Sequence, residues 1–323
     1  MRFVAALFFC FAVASVVPAA AQTCPNNPDA LGTSRVLTVS PTDFSRIGTM
    51  QYRQTLPLND HEVVITFDDG PLPPYSDRIL DTLASQCVKV TYFLVGQMAR
   101  AYPWVVRRMY NEGHTIGTHS LDHPLIFQNL STDRVEHEVD GGISLVDNAL
   151  GDPTALSPFF RIPGLGRSNT AENFLAGHDL ITWSADVVAD DWFRHISSQA
   201  IVDRAMRRLE AKGRGILLLH DIHPATAAAL PVLLKRLKDR GFHVVQVVAT
   251  GERPKSLPEL VASNKTGWPT VVKTAAASDE PAQVQHHHRI KTASVHKRRT
   301  ASADGAQAVD YSSLARDRLT TQF

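Results

Sequence analysis

The sequence predicts an α/β domain built on a parallel sheet or barrel, and three observations carry that reading. Strand-like and helix-like stretches alternate from Val63 to Val248. Seven short apolar runs, several of them rich in β-branched residues, are separated by segments with helical spacing. Charged or ligating side chains stand at the ends of five of those runs, the place where parallel α/β folds put their sites.

The first residues stand apart from the fold. Arg2 precedes an apolar stretch from Phe3 to Val17, followed by Pro18 and the small residues Ala19 to Ala21, the layout of a secretory signal cleaved after Ala21. The stretch is shorter than the roughly 20 residues that span a bilayer, which counts against a membrane anchor, and no later segment is long and apolar enough to cross one. The expected organisation is a signal peptide at 1–21, an extended arm at 22–61, one catalytic domain at 62–254 and a low-complexity, basic, disordered tail at 255–323. Such a chain is secreted or periplasmic, with no transmembrane segment after signal cleavage. Cys10 leaves with the signal, and Cys24 and Cys87 remain as an even pair. They form either a disulfide pinning the arm to the domain or two free thiols, and their spacing leaves both open.

Val63 to Phe67 is the first strand, halted by Gly70-Pro71, so Asp68 and Asp69 sit at its end. A helix follows around Ser76 to Ser85, with Ile79, Leu80 and Leu83 on one face, then a strand from Val88 to Val95. Trp104 to Asn111 reads as a helix, and His114 to Thr118 as a strand that runs into His119. Ser131 is an N-cap candidate for a long helix ending near Gly151. Phe159 to Ile162 is a brief strand, Ala171 to Leu175 a short helix, and Leu180 to Ser184 another strand. Ser198 to Lys212 carries an Ile201, Val202, Ala205, Leu209 stripe and is stopped by Gly213. Gly215 to Leu219 is a buried strand, Leu230 to Asp239 a helix ended by Gly241, and Phe242 to Val248 the last strand. From Lys265 to Phe323 no periodicity is sustained, and Gln285 to Arg299 holds five Lys or Arg and no acid. With 44% hydrophobic residues, 20% charged residues and a net charge of +1, the chain has the composition of a globular protein and not of a nucleic-acid binder.

Adjacent carboxylates repel and are costly to desolvate, so a buried site that keeps Asp68 and Asp69 holds a cation or a catalytic proton between them; the plain alternative is a solvated turn. His119 and His123, four apart after a strand, suit one metal ion, and the Asp-Asp pair supplies an oxygen ligand. His, His and Asp leave an open coordination position for water or substrate. Arg161 ends a strand in an apolar setting and wants a carboxylate partner. Asp186 ends another and is followed by Asp190-Asp191-Trp192, and His220-Asp221 ends a third. Tyr92-Phe93 reads as core and not as a sugar-stacking platform, and His286 to His288 as a solvated run.

In this order, Thr66-Phe67-Asp68-Asp69-Gly70-Pro71, His119-Ser120-x-x-His123, Arg161-x-Pro163, Asp191-Trp192 and Leu218-Leu219-His220-Asp221 resemble the polysaccharide deacetylase family, the nodulation-protein-B homology domain also called carbohydrate esterase family 4. The resemblance covers roughly His61 to Val248. It implies a distorted seven-stranded β/α barrel and removal of N- or O-acetyl groups from chitin oligomers, peptidoglycan or xylan. It implies that Asp68 is the general base for the attacking water, that Asp69, His119 and His123 hold the metal, and that Arg161 pairs with Asp68. His220 would protonate the leaving amine, and Asp186 would orient Arg161 or tune His220. Zinc is the expected ion, with cobalt, manganese or iron suiting the same donors.

Two departures from the family's pattern stand out. Where many members read Arg-Pro-Pro-Tyr-Gly, this chain has Arg161-Ile162-Pro163-Gly164-Leu165, so the oxyanion donor would be the Gly164 N–H beside a changed pocket wall. The Asp-x-x-Asp-Trp pattern is longer here, leaving open whether Asp190 or Asp191 fills the second acidic role next to the substrate-facing Trp192. The expected partner is an N-acetylated carbohydrate polymer or oligomer, with the basic tail against an anionic envelope surface. The rival readings are an amidase of the same superfamily acting on small amides, and a carbohydrate-binding protein that lost turnover.

Overall fold

The computed structural model describes residues 24–250 apart from 26 and 153, so the expected signal peptide and tail lie outside the described residues. Ten strands are described: β1 (Thr33–Val39), β2 (Arg46–Ile47), β3 (Glu62–Asp68), β4 (Thr91–Leu94), β5 (Thr115–Thr118), β6 (Leu156–Arg161), β7 (Ile181–Trp183), β8 (Val187–Val188), β9 (Gly215–His220) and β10 (His243–Ala249). Every pairing between them is parallel. Side by side, β8, β9, β3, β4, β5, β6 and β7 make the wall of a distorted seven-stranded barrel. Among the described residues, seven helices surround it: α1 (Tyr75–Ser85), α2 (Gly96–Ala101), α3 (Pro103–Asn111), α4 (Thr132–Leu150), α5 (Asn169–Gly177), α6 (Ser198–Lys212) and α7 (Pro224–Asp239). Among the described residues, no helix is long and apolar enough to cross a membrane.

Strand periodicity decides which side chains meet. Successive residues face opposite sides, so on β3 Val63, Ile65 and Phe67 pack outward under the helices, while Val64, Thr66 and Asp68 face the barrel interior. The same alternation turns Phe93, Phe159, Trp183 and Ile216 inward, where they fill the barrel with Val245 and Val247. Above this plug, toward the strands' C-terminal ends, the inward positions become polar: Asp68, Arg161 and His220. Asp68 stands level with His220 on β9 and with Phe93 on β4.

Three details correct the expectations from periodicity. The last strand, β10, leaves the wall: it pairs along its length with β1 and touches β3 only at Glu62 and Val63. Its expected place in the seven is taken by β8, whose two residues are too few to leave a period. The segment at 22–61, expected as an arm leading into the domain, is part of the sheet through β1 and through β2, which pairs with β7. β7 and β8 are not paired with one another, and the turn after β2 fills that gap, with Met50 N–H donating to Ala185 O at 3.0 Å. The two cysteines are bridged, Cys24 to Cys87, across 63 positions. Ser131 stands at the N-cap of α4 without capping it through its side chain.

Candidate active site

The first strand delivers two carboxylates with different surroundings. Asp68 points into the barrel, where Arg161 Nη1 donates to its Oδ1 at 2.6 Å. The guanidinium is fully buried and held at several points: Nη1 also donates to Thr66 Oγ1 at 2.8 Å, Nη2 donates to Ser184 O at 2.9 Å, and its Cζ lies 4.3 Å from the centre of the Phe93 ring. Burial pulls the guanidinium below its ordinary pKa, and the charge of Asp68 works against that. The second oxygen of Asp68 stays open toward the cleft, 3.9 Å from His119 Nε2.

Asp69 turns the other way, at a φ of 76°, and faces the two histidines. Its Oδ1 is 3.3 Å from His119 Nε2 and 3.3 Å from His123 Nε2. His119 Nδ1 lies 2.6 Å from the Arg161 carbonyl, which can only accept, so Nδ1 carries the proton and Nε2 presents its lone pair to Asp69. Burial lowers the pKa of His123 to about 4, against the pull of Asp69, which keeps this imidazole neutral and able to ligate. Asp69 Oδ1 is buried and, among the described residues, has no hydrogen-bond partner. An acceptor oxygen flanked by an imidazole lone pair and a neutral imidazole is satisfied by a cation, and the ligating atoms of Asp69, His119 and His123 all fall within 4.8 Å of one another. The donor set fits a metal ion.

The loop that carries the histidines is held from α4. Glu138, fully buried, accepts from Asp122 N–H at 3.0 Å, and His123 N–H donates to Ser120 Oγ at 3.0 Å. One turn further along α4, a Cβ on Gly142 would come within 2.6 Å of the Ser120 backbone, so only glycine lets helix and loop approach this closely.

Opposite the histidine pair stands His220, with Nε2 4.0 Å from Asp69 Oδ2. Asp191 holds it: Oδ1 lies 2.8 Å from His220 Nδ1, while Oδ2 accepts from the His220 N–H at 2.8 Å and from Thr226 Oγ at 2.7 Å. Burial alone would lower the pKa of His220, but the Asp191 carboxylate, with Asp69 and Asp68 behind it, pushes it up to about 10. Trp192 packs edge-on against the ring, centroids 5.6 Å apart, and His223 lies 5.7 Å away on another side.

The structure brings together Asp68, Asp69, His119, His123, Arg161, His220 and Trp192 as expected from the sequence. Gly164 stands exposed in the turn Pro163–Leu165 just past β6, at a φ of 58°. Asp186 is not in this group. It precedes β8 near the start of β9, where it accepts from Thr49 N–H and Oγ at 2.8 and 2.6 Å, Thr55 Oγ at 2.8 Å and Ile216 N–H at 2.9 Å. The expected orienting of Arg161 or His220 by Asp186 is therefore corrected: Ser184 O and Thr66 hold Arg161, and Asp191 holds His220. Asp190 faces away, toward Arg208 at 2.9 Å and Arg204 at 3.4 Å.

Comparison with known proteins finds relatives of the chain in one family. Residues 56–181 match the family model described as polysaccharide deacetylase. The chain is 34% identical over 185 residues to the peptidoglycan-N-acetylglucosamine deacetylase PgdA of Listeria monocytogenes, covering 57% of this chain but only 38% of that protein. It is 32% identical over 213 residues to the chitooligosaccharide deacetylase of Sinorhizobium fredii, covering 60% of this chain and 94% of the relative. Among solved structures, the Bdellovibrio bacteriovorus peptidoglycan deacetylase Bd3279 superposes with a TM-score of 0.60 at 30% identity, over 69% of this chain and 61% of that one. With its motifs, its barrel and a relative matched over nearly its whole length, the chain belongs to the polysaccharide deacetylase family.

Proposed function

We propose that the protein is an exported, metal-dependent deacetylase that hydrolyses acetamido groups of an N-acetylglucosamine-containing polymer or oligomer, of peptidoglycan or chitooligosaccharide type. The observation that carries this reading is the placement of Asp69 Oδ1 3.3 Å from both histidine Nε2 atoms, with Asp68 on one side and His220 on the other. Asp69, His119 and His123 would hold the ion, zinc first, with cobalt, manganese or iron suiting the same donors. Such an ion supplies a Lewis acid for the acyl oxygen and a lowered pKa for water.

The protein's own groups account for the proton movements. Arg161 pins one oxygen of Asp68 and leaves the other to take a proton from the attacking water as the new carbon–oxygen bond forms. His220, kept protonated by Asp191, gives its Nε2 proton to the amide nitrogen as the carbon–nitrogen bond breaks. Acetate and a free amino sugar leave. Trp192 walls the His220 side, and the Gly164 N–H is the proposed donor to the oxyanion.

Export is supported by the Arg2 to Ala21 layout and by the Cys24–Cys87 bridge, a bond that persists in oxidising compartments. The basic stretch from Gln285 to Arg299 is proposed to contact an anionic envelope surface. The deciding experiment is acetate release from chitin oligomers, peptidoglycan and acetylated xylan. Release from the first or second supports the reading. Turnover confined to small amides would assign an amidase instead, and binding without release a carbohydrate-binding protein.

A further inference from the structure

Asp221 follows His220 at the end of β9 and is fully buried, yet none of the steps above uses it. Its carboxyl lies directly against the backbone of Gly70, where a Cβ would fall 2.1 Å from Oδ1 and 2.4 Å from Cγ. Position 70 must therefore be glycine for as long as residue 221 carries this side chain. Asp221 Oδ2 accepts from Ser76 Oγ at 2.5 Å, and Ser76 Oγ in turn accepts from Leu72 N–H at 2.7 Å. The Asp221 N–H is 3.4 Å from the Asp68 carbonyl, and on the far side Gly70 O accepts from Val95 N–H at 3.2 Å. The turn that carries Asp68 and Asp69 is thus gripped between the end of β4 and the end of β9.

Packing alone does not account for a polar side chain here. Among the described residues, Asp221 Oδ1 has no hydrogen-bond partner, and a buried carboxyl left half-satisfied is less stabilising than an apolar residue of the same size. We propose that Asp221 is a positioning residue, which fixes the Asp68-Asp69 turn against the strand end that presents His220, and so sets the separation between the metal-ligand side and the acid side of the cleft. Groups that orient ligands from behind typically change metal affinity by about 10–100-fold when removed, and displacement of reacting groups by about 1 Å costs a similar factor in rate.

The inference rests on the deacetylase reading only for its kinetic arm, because zinc affinity is read without substrate. Asp221→Ala, Asp221→Asn and Ser76→Ala are compared with the parent protein in zinc affinity, by chelator competition, and in kcat and KM on a chitin oligomer. Asp221→Ala is expected to weaken zinc binding by about 10-fold or more and to lower kcat by about 10–100-fold, with KM within about threefold. Asp221→Asn keeps the shape and the acceptor for Ser76, so it should stay within about threefold of the parent in both. Zinc affinity and kcat within twofold of the parent in Asp221→Ala would overturn the proposal. So would an Asn variant as impaired as the Ala variant, since shape would then not be what matters. If Asp221→Ala does not fold, Ser76→Ala decides: zinc affinity reduced severalfold supports the role, and unchanged affinity rejects it. A parent protein that binds zinc but turns over no substrate would fail the deacetylase reading while leaving the affinity comparison intact.

Discussion

Asp191 grips His220 at both ends of the residue, with one carboxylate oxygen 2.8 Å from the ring Nδ1 and the other 2.8 Å from the backbone N–H. The ring cannot turn without losing the first bond, and the strand end cannot shift without losing the second. Nε2 is thereby aimed at the cleft with its proton. Asp191→Asn removes the charge and, with its one oxygen kept on the His220 N–H and Thr226 Oγ, turns an amide N–H toward the ring Nδ1, which can then no longer carry its proton there, so kcat should fall by about 10²–10⁴. The direction in pH follows from the raised pKa of His220: a group held protonated by a partner deprotonates at lower pH once the partner is gone. The alkaline limb of kcat should therefore move to lower pH, and a limb that stays in place would reject the role.

Asp186 makes the opposite prediction. Its four acceptor contacts tie the turn after β2 to the first residues of β9, far from Asp68 along the strand. Asp186→Ala leaves the buried Ile216 N–H unpaired and removes the acceptor for Thr49 and Thr55, and should cost about 1–3 kcal/mol of stability, visible as a lower Tm. At a temperature where the variant is folded, kcat should remain within a few fold of the parent.

For the proposed ion, purified protein should carry about one divalent cation per chain, and His119→Ala should lose both the ion and activity. Elemental analysis of that variant is the check, and full occupancy would remove His119 from the ligand set. Treatment with a chelator should abolish hydrolysis, and added zinc should restore it.

Much of this site was legible in the sequence because strand periodicity puts alternate residues on one face. Thr66 and Asp68 share the inward face of β3, and Arg161 and His220 close apolar runs whose period is clear. Asp191 was not legible over Asp190, because both lie in a loop where no period holds. The choice is made by the backbone of Asp190, at a φ of 54°, which turns one carboxylate toward α6 and leaves the next facing His220. Asp186 misled for a related reason: it looks like an acid ending the Leu180 to Ser184 run, while it begins the approach to a strand of two residues. The partners of Arg161 on other elements, Ser184 O and the Phe93 ring, depend on tertiary placement that local pattern does not encode.

The start of β3 gives a pH prediction free of the metal site. Arg35 on β1 reaches past β10 to Glu62, with bonds of 2.7 and 2.6 Å. The hydrogen bond from Arg35, against burial and helped by Asn59, lowers the pKa of Glu62 to about 2. A depressed carboxyl contributes stability that is fully present above its unfolded value and is lost as pH falls through the folded one. The contribution is at most about 3 kcal/mol, less what solvent around Arg35 screens. Between about pH 4.5 and 2 the parent should lose stability more steeply than Glu62→Gln, measured by denaturant unfolding; parallel curves would contradict the assignment.

The Cys24–Cys87 bridge closes a loop of 63 positions, which the chain-entropy model values at about 4 kcal/mol. The double variant Cys24→Ser/Cys87→Ser, or the parent under reductant, should melt lower by several degrees. An unchanged Tm would mean that the arm is held by β1 and β2 alone.

The pairing of β1 with β10 ties the first strand described to the last, with partners from Thr33 opposite Val244 to Val39 opposite Ala249. This arrangement bears on how the protein is made. β1 leaves the ribosome some two hundred residues before its partner and must wait, with an unpaired edge, for the rest of the sheet to be synthesised. During that interval the edge is open to pairing with other chains, a hazard that a holding chaperone would suppress. A nascent chain halted before His243 carries every proposed catalytic residue and still cannot seat β1, so chains stalled there should be proteolysed more readily than chains that have released β10.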